Sequence, residues 1–370
     1  MRFLTALAAA GLLALLTACT SDDADGSALA TSPAGTPAGT VEADDRPASA
    51  TATAASPPTS GTPSGLLDEL LALAAAFEQV DVWGDGPGEV SFVTPNGLTI
   101  DDEGSIYVTD FQFGQLRKLD ADGSLVFKAA EAGPQPGQLA NPIGVAVARD
   151  GSILVSESGA SRVTVFDADG SFRTTFGEPG RDPGMFRSAM GIAISEQDEV
   201  FVADFGNHRV QVFTTGGGFL RSWGEVGTVE GQFNNPIGLQ IGPAGNVWVV
   251  DSGNERVQVF NQAGELVRVF DDVGPGPQVL SINTAGEFFV ASPWVEGRVR
   301  HFSPDGELLG HLGNSVTEAE LSSMSSGERE RAAELSTLAG PHGTATDPSG
   351  TVYLADTANG VVRKFEPTGR

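Results

Sequence analysis

The stretch AMGIAISEQDEVFVADFGNHRVQVF, from Ala189 to Phe213, contains three short apolar runs separated by turn residues. The runs are Ile192–Ile194, Val200–Ala203 and Val210–Phe213, and a segment rich in Asp, Gly and Asn separates the second run from the third. Runs of three to five residues rich in Val, Ile and Phe, bounded by such turn residues, are typical of strands. The stretch therefore predicts short antiparallel strands rather than helices.

The same unit occurs six times along the chain. Each copy begins at the first residue of its first strand, and an acidic residue, Ser in the fifth copy, closes its second strand 15 positions later. The pairs are Pro95 and Asp110, Pro142 and Glu157, Ala189 and Asp204, Pro236 and Asp251, Pro277 and Ser292, and Pro341 and Asp356. A glycine lies two residues after each start except in the fifth copy, which has Val279. Repeats of about 40 to 50 residues with several strands each predict a propeller.

A fourth apolar run follows a tight turn in five of the copies, as in Phe219–Trp223. The sixth copy ends at Arg370 without this run, whereas Gln79–Gly84, before the first copy, resembles it. We therefore predict an all-β fold, a six-bladed β-propeller with four-stranded antiparallel blades, in which the N-terminal strand supplies the outer strand of the last blade. Such closure removes the unpaired edge of the ring.

The segments Asp204–Phe213 and Asp251–Phe260 resemble the D-x-x-N-x-R-[VI]-x-x-F signature of the NHL-repeat family. The resemblance covers residues 79 to 370. It implies a propeller whose faces bind proteins, peptides or glycans. Because one fold hosts many functions, it implies less about activity than about architecture.

Residues 1 to 18 have the features of a signal peptide, with a basic start and a short apolar stretch that ends in Leu16-Thr17-Ala18-Cys19. These four residues resemble the bacterial lipobox, in which the cysteine carries lipid. We therefore expect lipid attachment at Cys19 and an exported protein anchored to the outer side of the cell membrane. The alternative is an ordinary signal peptide with a chance cysteine. Residues 19 to 63, rich in Thr, Ser, Ala and Pro, predict a disordered tether.

Two further segments lie outside the repeats. Residues 64 to 78 have apolar residues at helical spacing and predict a short helix. A charged insertion at about 314–338 predicts a further helical segment, whose role is either functional or simply tolerated in a surface loop. The net charge of −27 argues against nucleic acid as a partner, and we expect none. We expect a monomer.

Ligands of propellers bind at the mouth of the central channel, where the innermost strands begin. The residues between each start and its glycine form a candidate ring: Asn96, Ile143, Met190, Ile237, Gln278 and His342. From this ring we select Asn96, Met190, Gln278 and His342 as ligand-binding candidates. We add Arg209, which lies five residues after Asp204. No catalytic residue is assigned.

Two enzymatic hypotheses depend on a metal. The last copy resembles the last blade of peptidyl-hydroxyglycine amidating lyases, in which a histidine at the position of His342 helps bind zinc. The other ring positions lack histidine, although catalytic zinc needs about three protein ligands. Gluconolactonases bind a divalent ion such as calcium, for which Asn96, Asp204, Asp251 and Asp356 offer oxygens. However, an acid recurs at this position with an arginine five residues later, which indicates a structural contact.

The sequence therefore predicts a lipid-anchored binding or scaffold module for a protein, peptide or glycan, with no cofactor. The alternatives are a metal-dependent lyase or hydrolase with its site near His342, and an extracellular sensor component that acts with a membrane partner.

Overall fold

Six four-stranded antiparallel sheets form the body of the protein. The computed structural model describes residues 76–84, 90–312, 324, 326 and 338–369. Within each sheet the strands pair in sequence order, except that the last sheet takes its outer strand from the N-terminal part of the chain. The first strands of successive blades pack side by side and form a closed ring around the central channel. The predicted six-bladed propeller is confirmed.

The closing strand and the first three blades contain these strands: β1 (Phe77–Trp83); β2 (Pro95–Ile100), β3 (Ile106–Asp110), β4 (Gln115–Leu119) and β5 (Leu125–Ala129) in blade one; β6 (Pro142–Val147), β7 (Ile153–Glu157), β8 (Arg162–Phe166) and β9 (Phe172–Phe176) in blade two; β10 (Ala189–Ile194), β11 (Glu199–Asp204), β12 (Arg209–Thr214) and β13 (Phe219–Trp223) in blade three. A single 3₁₀ turn, Phe205–Asn207, joins β11 to β12.

The remaining blades contain these strands: β14 (Pro236–Ile241), β15 (Val247–Asp251), β16 (Arg256–Phe260) and β17 (Leu266–Phe270) in blade four; β18 (Val279–Ile282), β19 (Phe288–Ser292), β20 (Arg298–Phe302) and β21 (Leu308–Leu312) in blade five; β22 (Pro341–Thr346), β23 (Val352–Asp356) and β24 (Val361–Pro367) in blade six. A second 3₁₀ turn, Ser252–Asn254, joins β15 to β16.

Strand β1 closes the ring. It pairs antiparallel with β24, in a register that runs from Phe77 opposite Pro367 to Trp83 opposite Val362. Trp83 is buried, and its ring lies 5.8 Å from that of Tyr353. The ring of Phe77 lies 5.5 Å from that of Phe289 in blade five. These contacts stabilise the closing strand by burying large aromatic side chains.

The start of β1 differs from the helix predicted over residues 64–78. Phe77 and Glu78 belong to the strand, because Phe77 packs against blade five and its backbone joins the ladder with β24. The rest of that segment lies outside the described residues, as do the predicted signal peptide, Cys19 and the tether. The insertion predicted at 314–338 also lies outside them, except for Met324, Ser326 and Leu338. Among the described residues no helix has the length and apolar character needed to cross a membrane.

The glycine two residues after each start allows neighbouring inner strands to approach closely. A Cβ atom at Gly343 would lie 2.1 Å from the carbonyl oxygen of Asn96, and one at Gly191 would lie 2.4 Å from that of Ile237. Real Cβ atoms do not come this close, so these positions require glycine. Val279 replaces this glycine in blade five, and its side chain packs into the core between blades five and six.

The core lies between the blades. Each apolar cluster combines residues of two neighbouring sheets, as where Leu154 and Val163 of blade two meet Val200 and Phe213 of blade three. The aromatic residue near the end of the third strand is buried in five of the six blades: Phe166, Phe213, Phe260, Phe302 and Phe365. Repeated burial of these rings explains why the apolar positions recur in register.

Candidate functional site

The inner strands begin at one end of the ring, which we call the top face. The top face also carries the turns between the second and third strands of each blade and the connections between blades. A cavity of about 240 Å³ occupies the channel and is lined by the inner strands. The predicted ring residues Asn96, Ile143, Ile237 and His342 line this cavity. Met190 and Gln278 occupy the same positions in blades three and five.

The ring of candidate residues divides into two halves. Blades five, six and one are neighbours in the closed ring and contribute Gln278, His342 and Asn96. Blades two, three and four contribute Ile143, Met190 and Ile237. His342 is the one titratable side chain that lines the cavity, within the described residues. The channel mouth therefore has an uncharged polar half and an apolar half.

A buried carboxylate holds each top-face corner together in five of the six blades. The acids are fully buried, and each accepts a hydrogen bond from the backbone N–H that lies 17 residues earlier in the chain. The pairs of acid and donor are Asp110 and Val93, Glu157 and Ala140, Asp204 and Arg187, Asp251 and Asn234, and Asp356 and Ala339. The carboxylate thus links the connection from the previous blade, called here the incoming connection, to the turn after the second strand. We call this arrangement the corner lock.

An arginine completes the corner lock. The Nε atom of Arg209 lies 2.8 Å from Oδ2 of Asp204, and its Nη2 donates to the carbonyl oxygens of Asp182 and Met185 in the incoming connection. Arg162 and Arg256 make corresponding contacts in blades two and four. The recurring acid and arginine therefore form the structural contact that their spacing indicates. Burial raises the pKa of Asp204, against the opposing effect of its hydrogen bonds.

These contacts place Arg209 in the corner lock of blade three. Its guanidinium faces Asp204 and the connection that precedes the blade, and it is not among the residues that line the channel cavity. The structure thus brings Asn96 and His342 together at the channel and separates Arg209 from them. The reason is that the arginine side chain is long enough to reach back over the carboxylate to the connection.

Blade five departs from this arrangement at three positions. The residue 17 before its corner is Pro275, which has no N–H to donate. Ser292 replaces the acid. Pro293 follows it, at the position where the backbone N–H of other blades donates to the carbonyl oxygen of the residue before the first strand, as Phe205 donates to Ser188. A carboxylate without these donors would be buried and under-solvated, which is costly. The serine therefore follows from the loss of its donors.

The corner of blade five contacts blade six through Trp294 and His342. Their rings meet edge to face with centroids 4.6 Å apart. Three buried polar atoms at this corner have no hydrogen-bond partner among the described residues: Oγ of Ser292, Nε1 of Trp294 and Nε2 of His342. Thr344, on the same strand as His342, has a buried unpartnered hydroxyl as well and lines the cavity. Buried polar groups are nearly always paired, so this cluster needs an explanation.

The protonation of His342 is fixed by its surroundings. Nδ1 lies 2.8 Å from the carbonyl oxygen of Gly340, which only accepts, so Nδ1 carries the proton. Burial lowers the pKa of His342 to about 4, against the opposing effect of this hydrogen bond. At neutral pH the ring is therefore uncharged, and Nε2 presents a lone pair that accepts hydrogen bonds.

The metal-dependent hypotheses require a set of ligand side chains close together, and the described part of the chain contains no such group of His, Cys, Asp or Glu. Nowhere in it do three His, Cys, Asp or Glu side chains lie close enough to hold an ion. His301 stacks on Phe289 with ring centroids 4.4 Å apart, and Nδ1 of His208 accepts a hydrogen bond from the backbone of Asn235. The carboxylates of Asp204 and Asp251 are engaged by arginine. Within the described residues these side chains do not form the zinc ligand set, and two of the acids considered for calcium are held by arginine.

Trp294 and Ser292 are site residues that the ring positions do not indicate. Two signals in the sequence mark them: the acid is missing from one copy only, and prolines stand at both positions where other copies donate a backbone N–H. A repeat that departs from its own pattern at one corner is where function is expected.

The family model for the NHL repeat matches four segments of the chain: residues 139–166, 186–213, 233–260 and 338–365. These segments fall in blades two, three, four and six, and blades one and five lie outside them. Together with the six-bladed ring, the matches define the class of protein. The chain is a six-bladed β-propeller, and four of its blades match the NHL repeat.

Solved structures with the same architecture include enzymes. A streptogramin B lyase is 15% identical over 79% of this chain and 98% of that one, with a TM-score of 0.54. The virginiamycin B lyase from Staphylococcus aureus is 14% identical over 78% of this chain and 99% of its own, with a TM-score of 0.52. A gluconolactonase from Xanthomonas campestris is 14% identical over 80% and 92%, with a TM-score of 0.56. At this identity the likeness shows the fold alone.

The sequence matches no curated protein.

Proposed function

We propose that this protein is a binding module whose protein, peptide or glycan ligand enters the top of the channel at the corner between blades five and six. One observation carries the proposal. Blade five lacks the corner lock, and the same corner presents Ser292, Trp294 and His342 with buried polar atoms that have no partner among the described residues. Partners for such atoms have to come from outside the described fold, and a ligand is the source proposed here.

Binding suits this corner better than catalysis. A general base works best when its pKa lies near the working pH, and the pKa of His342, at about 4, makes its ring a weak base. The neighbouring Trp294 supplies a hydrogen-bond donor and an aromatic edge, neither of which is a nucleophile. The described residues also offer no set of ligands for a catalytic metal. Recognition through hydrogen bonds is the chemistry that these side chains provide.

We also propose that the propeller is exported and held at the outer side of the membrane by lipid on Cys19. The support is the resemblance of residues 16–19 to a lipobox and the composition of residues 19–63. A chain of that composition keeps a folded domain at a distance from its anchor while leaving it free to reorient. Replacing Cys19 by Ser is expected to move the protein from the detergent phase to the aqueous phase in a phase-separation assay. Equal partitioning of the two proteins would contradict the anchor.

The binding proposal is tested by the indole resonances of the four tryptophans. In a ¹⁵N spectrum of the full chain, the indole N–H signal of Trp294 is assigned from its absence in Trp294→Phe. A ligand at the corner is expected to shift this signal and to leave that of Trp223 in place. Trp223 is a matched control because its Nε1 is also buried, without a partner in the part of the chain that the structure describes, but lies on the outer strand of blade three.

The panel of probes contains short neutral peptides, peptides of either charge, and soluble oligosaccharides. If none of them moves the Trp294 signal at millimolar concentration, the proposed site is wrong. A probe that shifts all four indole signals equally would indicate nonspecific binding and would count against the site as well.

A further inference from the structure

We infer that the ligand of the channel mouth is an uncharged peptide segment that presents an amide to His342 and Asn96 and an apolar side chain to the opposite half of the ring. This inference rests on the proposed function and specifies its ligand. It starts from the division of the ring: Gln278, His342 and Asn96 occupy three adjacent blades, whereas Ile143, Met190 and Ile237 occupy the other three.

On the polar half, His342 offers an acceptor, and Asn96, like Gln278, carries an amide that both donates and accepts. Nε2 of His342 accepts, because Nδ1 already donates to Gly340. The side-chain amide of Asn96, on the neighbouring inner strand β2, provides an N–H₂ donor and a carbonyl oxygen. An amide group of a ligand carries one donor and one acceptor of its own. Its N–H satisfies His342, and its carbonyl oxygen accepts from Asn96 or from Trp294 beside it.

The apolar half is aliphatic along its depth. Ile143, Ile192 and Leu239 line the cavity on this side, and no charged side chain lines it within the described residues. Apolar groups of a ligand that pack against these side chains stabilise the complex, because their surface leaves water. A branched aliphatic side chain therefore gains affinity here. The volume of about 240 Å³ is enough for one such side chain with its flanking amides.

The same division argues against the other ligand classes. An ion would lose its hydration without meeting an opposite charge, which is strongly unfavourable in a buried site. A sugar carries hydroxyls around its whole ring, so those that face Ile143 and Ile237 would be buried without partners. A peptide segment has polar groups along its backbone and an apolar group to one side of it. This arrangement matches the two halves of the ring.

The test uses N-acetyl-leucinamide and two ester analogues, 2-acetoxy-4-methylpentanamide and N-acetyl-leucine methyl ester, each of which lacks the N–H donor of one of the two amides. Binding to the full chain is followed through the Trp294 indole signal. We expect the amide to bind the wild-type protein and one of the esters to bind about five- to tenfold more weakly, because it lacks the N–H that His342 accepts. In His342→Leu this difference between amide and ester is expected to disappear.

A matched control is His301→Leu, which makes the same change at a buried histidine that stacks on Phe289 and does not line the cavity. It is expected to keep the preference for the amide. The melting temperature of each variant shows whether it has folded. If His342→Leu still prefers the amide, His342 is not the acceptor of the ligand's N–H. If amide and esters bind equally to the wild type, the inference is wrong.

The failure of this inference is distinguishable from the failure of the proposed function. If cellobiose or chitobiose shifts the Trp294 signal and N-acetyl-leucinamide does not, the site binds a ligand but the peptide class is wrong. The same holds if only a charged peptide binds. If no probe moves the signal, the proposed function itself is wrong, and the inference fails with it.

Discussion

Arg209 and Asp204 form a bonded pair in which Nε lies 2.8 Å from Oδ2, and the carboxylate of Asp204 is fully buried. The same carboxylate accepts from the backbone N–H of Arg187 and from Asn207, so one side chain joins a turn, a strand and the connection from the previous blade. Blade five does without this arrangement, because Pro275 and Pro293 remove the backbone donors and Ser292 replaces the acid.

Replacing Asp204 by Ala is expected to lower the free energy of unfolding by about 3–5 kcal/mol, because it leaves the largely covered guanidinium of Arg209 and the backbone N–H of Arg187 without their carboxylate partner. The control is Ser292→Ala at the equivalent corner of blade five. Its hydroxyl is buried and has no partner among the described residues, so its removal is expected to change stability by less than about 1 kcal/mol. Urea unfolding of the two variants measures both effects. Equal losses would show that the lock does not stabilise the corner.

Replacing Gly343 by Ala is expected to destabilise the protein by about 2–3 kcal/mol, because the new Cβ would lie 2.1 Å from the carbonyl oxygen of Asn96 and must push neighbouring inner strands apart. The control is Gly216→Ala in an outer turn, where the nearest atom to the new Cβ is 3.9 Å away. That variant is expected to keep the wild-type melting temperature. A tolerated alanine at Gly343 would mean that the ring expands easily.

The repeats made the fold predictable from the sequence. The fifteen-residue spacing between the starts and the acids, with a glycine at a fixed offset, reports two features that five of the six blades share: a closely approaching inner strand and a corner lock. The apolar run at Gln79–Gly84, which precedes the first copy, predicted the ring closure that β1 provides. Such features are readable because the same physical requirement is met several times in one chain.

The site was less predictable, because it depends on contacts between blades. The ring position of His342 follows from the repeat, but its partner Trp294 lies in the turn of another blade, 48 residues earlier. Arg209 stands at a conspicuous position in the repeat, yet its length takes it to the connection rather than to the channel. The start of β1 at Phe77 likewise depends on packing against Phe289, which helical spacing does not report.

His342 is expected to make the stability of the protein depend on pH. Its pKa is lowered to about 4 in the folded protein, below the value of about 6.5 in an unfolded chain, so the folded state binds the proton less readily. The stabilisation by neutral His342 is complete above about pH 6.5 and is lost as the pH falls toward 4, by about 3 kcal/mol in total. Unfolding of wild type and His342→Gln, measured from pH 7.5 to 4, isolates this contribution.

The difference in stability between wild type and His342→Gln is therefore expected to shift in favour of the variant as the pH falls. His301 adds to the loss in the same direction, because burial lowers its pKa despite the nearby Glu287. His301→Gln tests this second contribution independently. A difference between wild type and His342→Gln that stays constant over the range would mean that the ring of His342 reaches water in the folded state.

A chain that begins at residue 90 lacks β1 and is expected to be much less stable than one that begins at residue 76. Without β1, the backbone groups of β24 are left unpaired at an exposed edge, and Tyr353 loses the aromatic contact with Trp83. Unpaired edges also pair with other chains, so the shorter protein is expected to aggregate. Melting temperature and light scattering of the two proteins measure these effects.

Addition of a peptide of residues 76–84 is expected to restore stability, since closure requires pairing rather than covalent continuity. Equal melting temperatures of the two chains would show that three strands suffice for blade six.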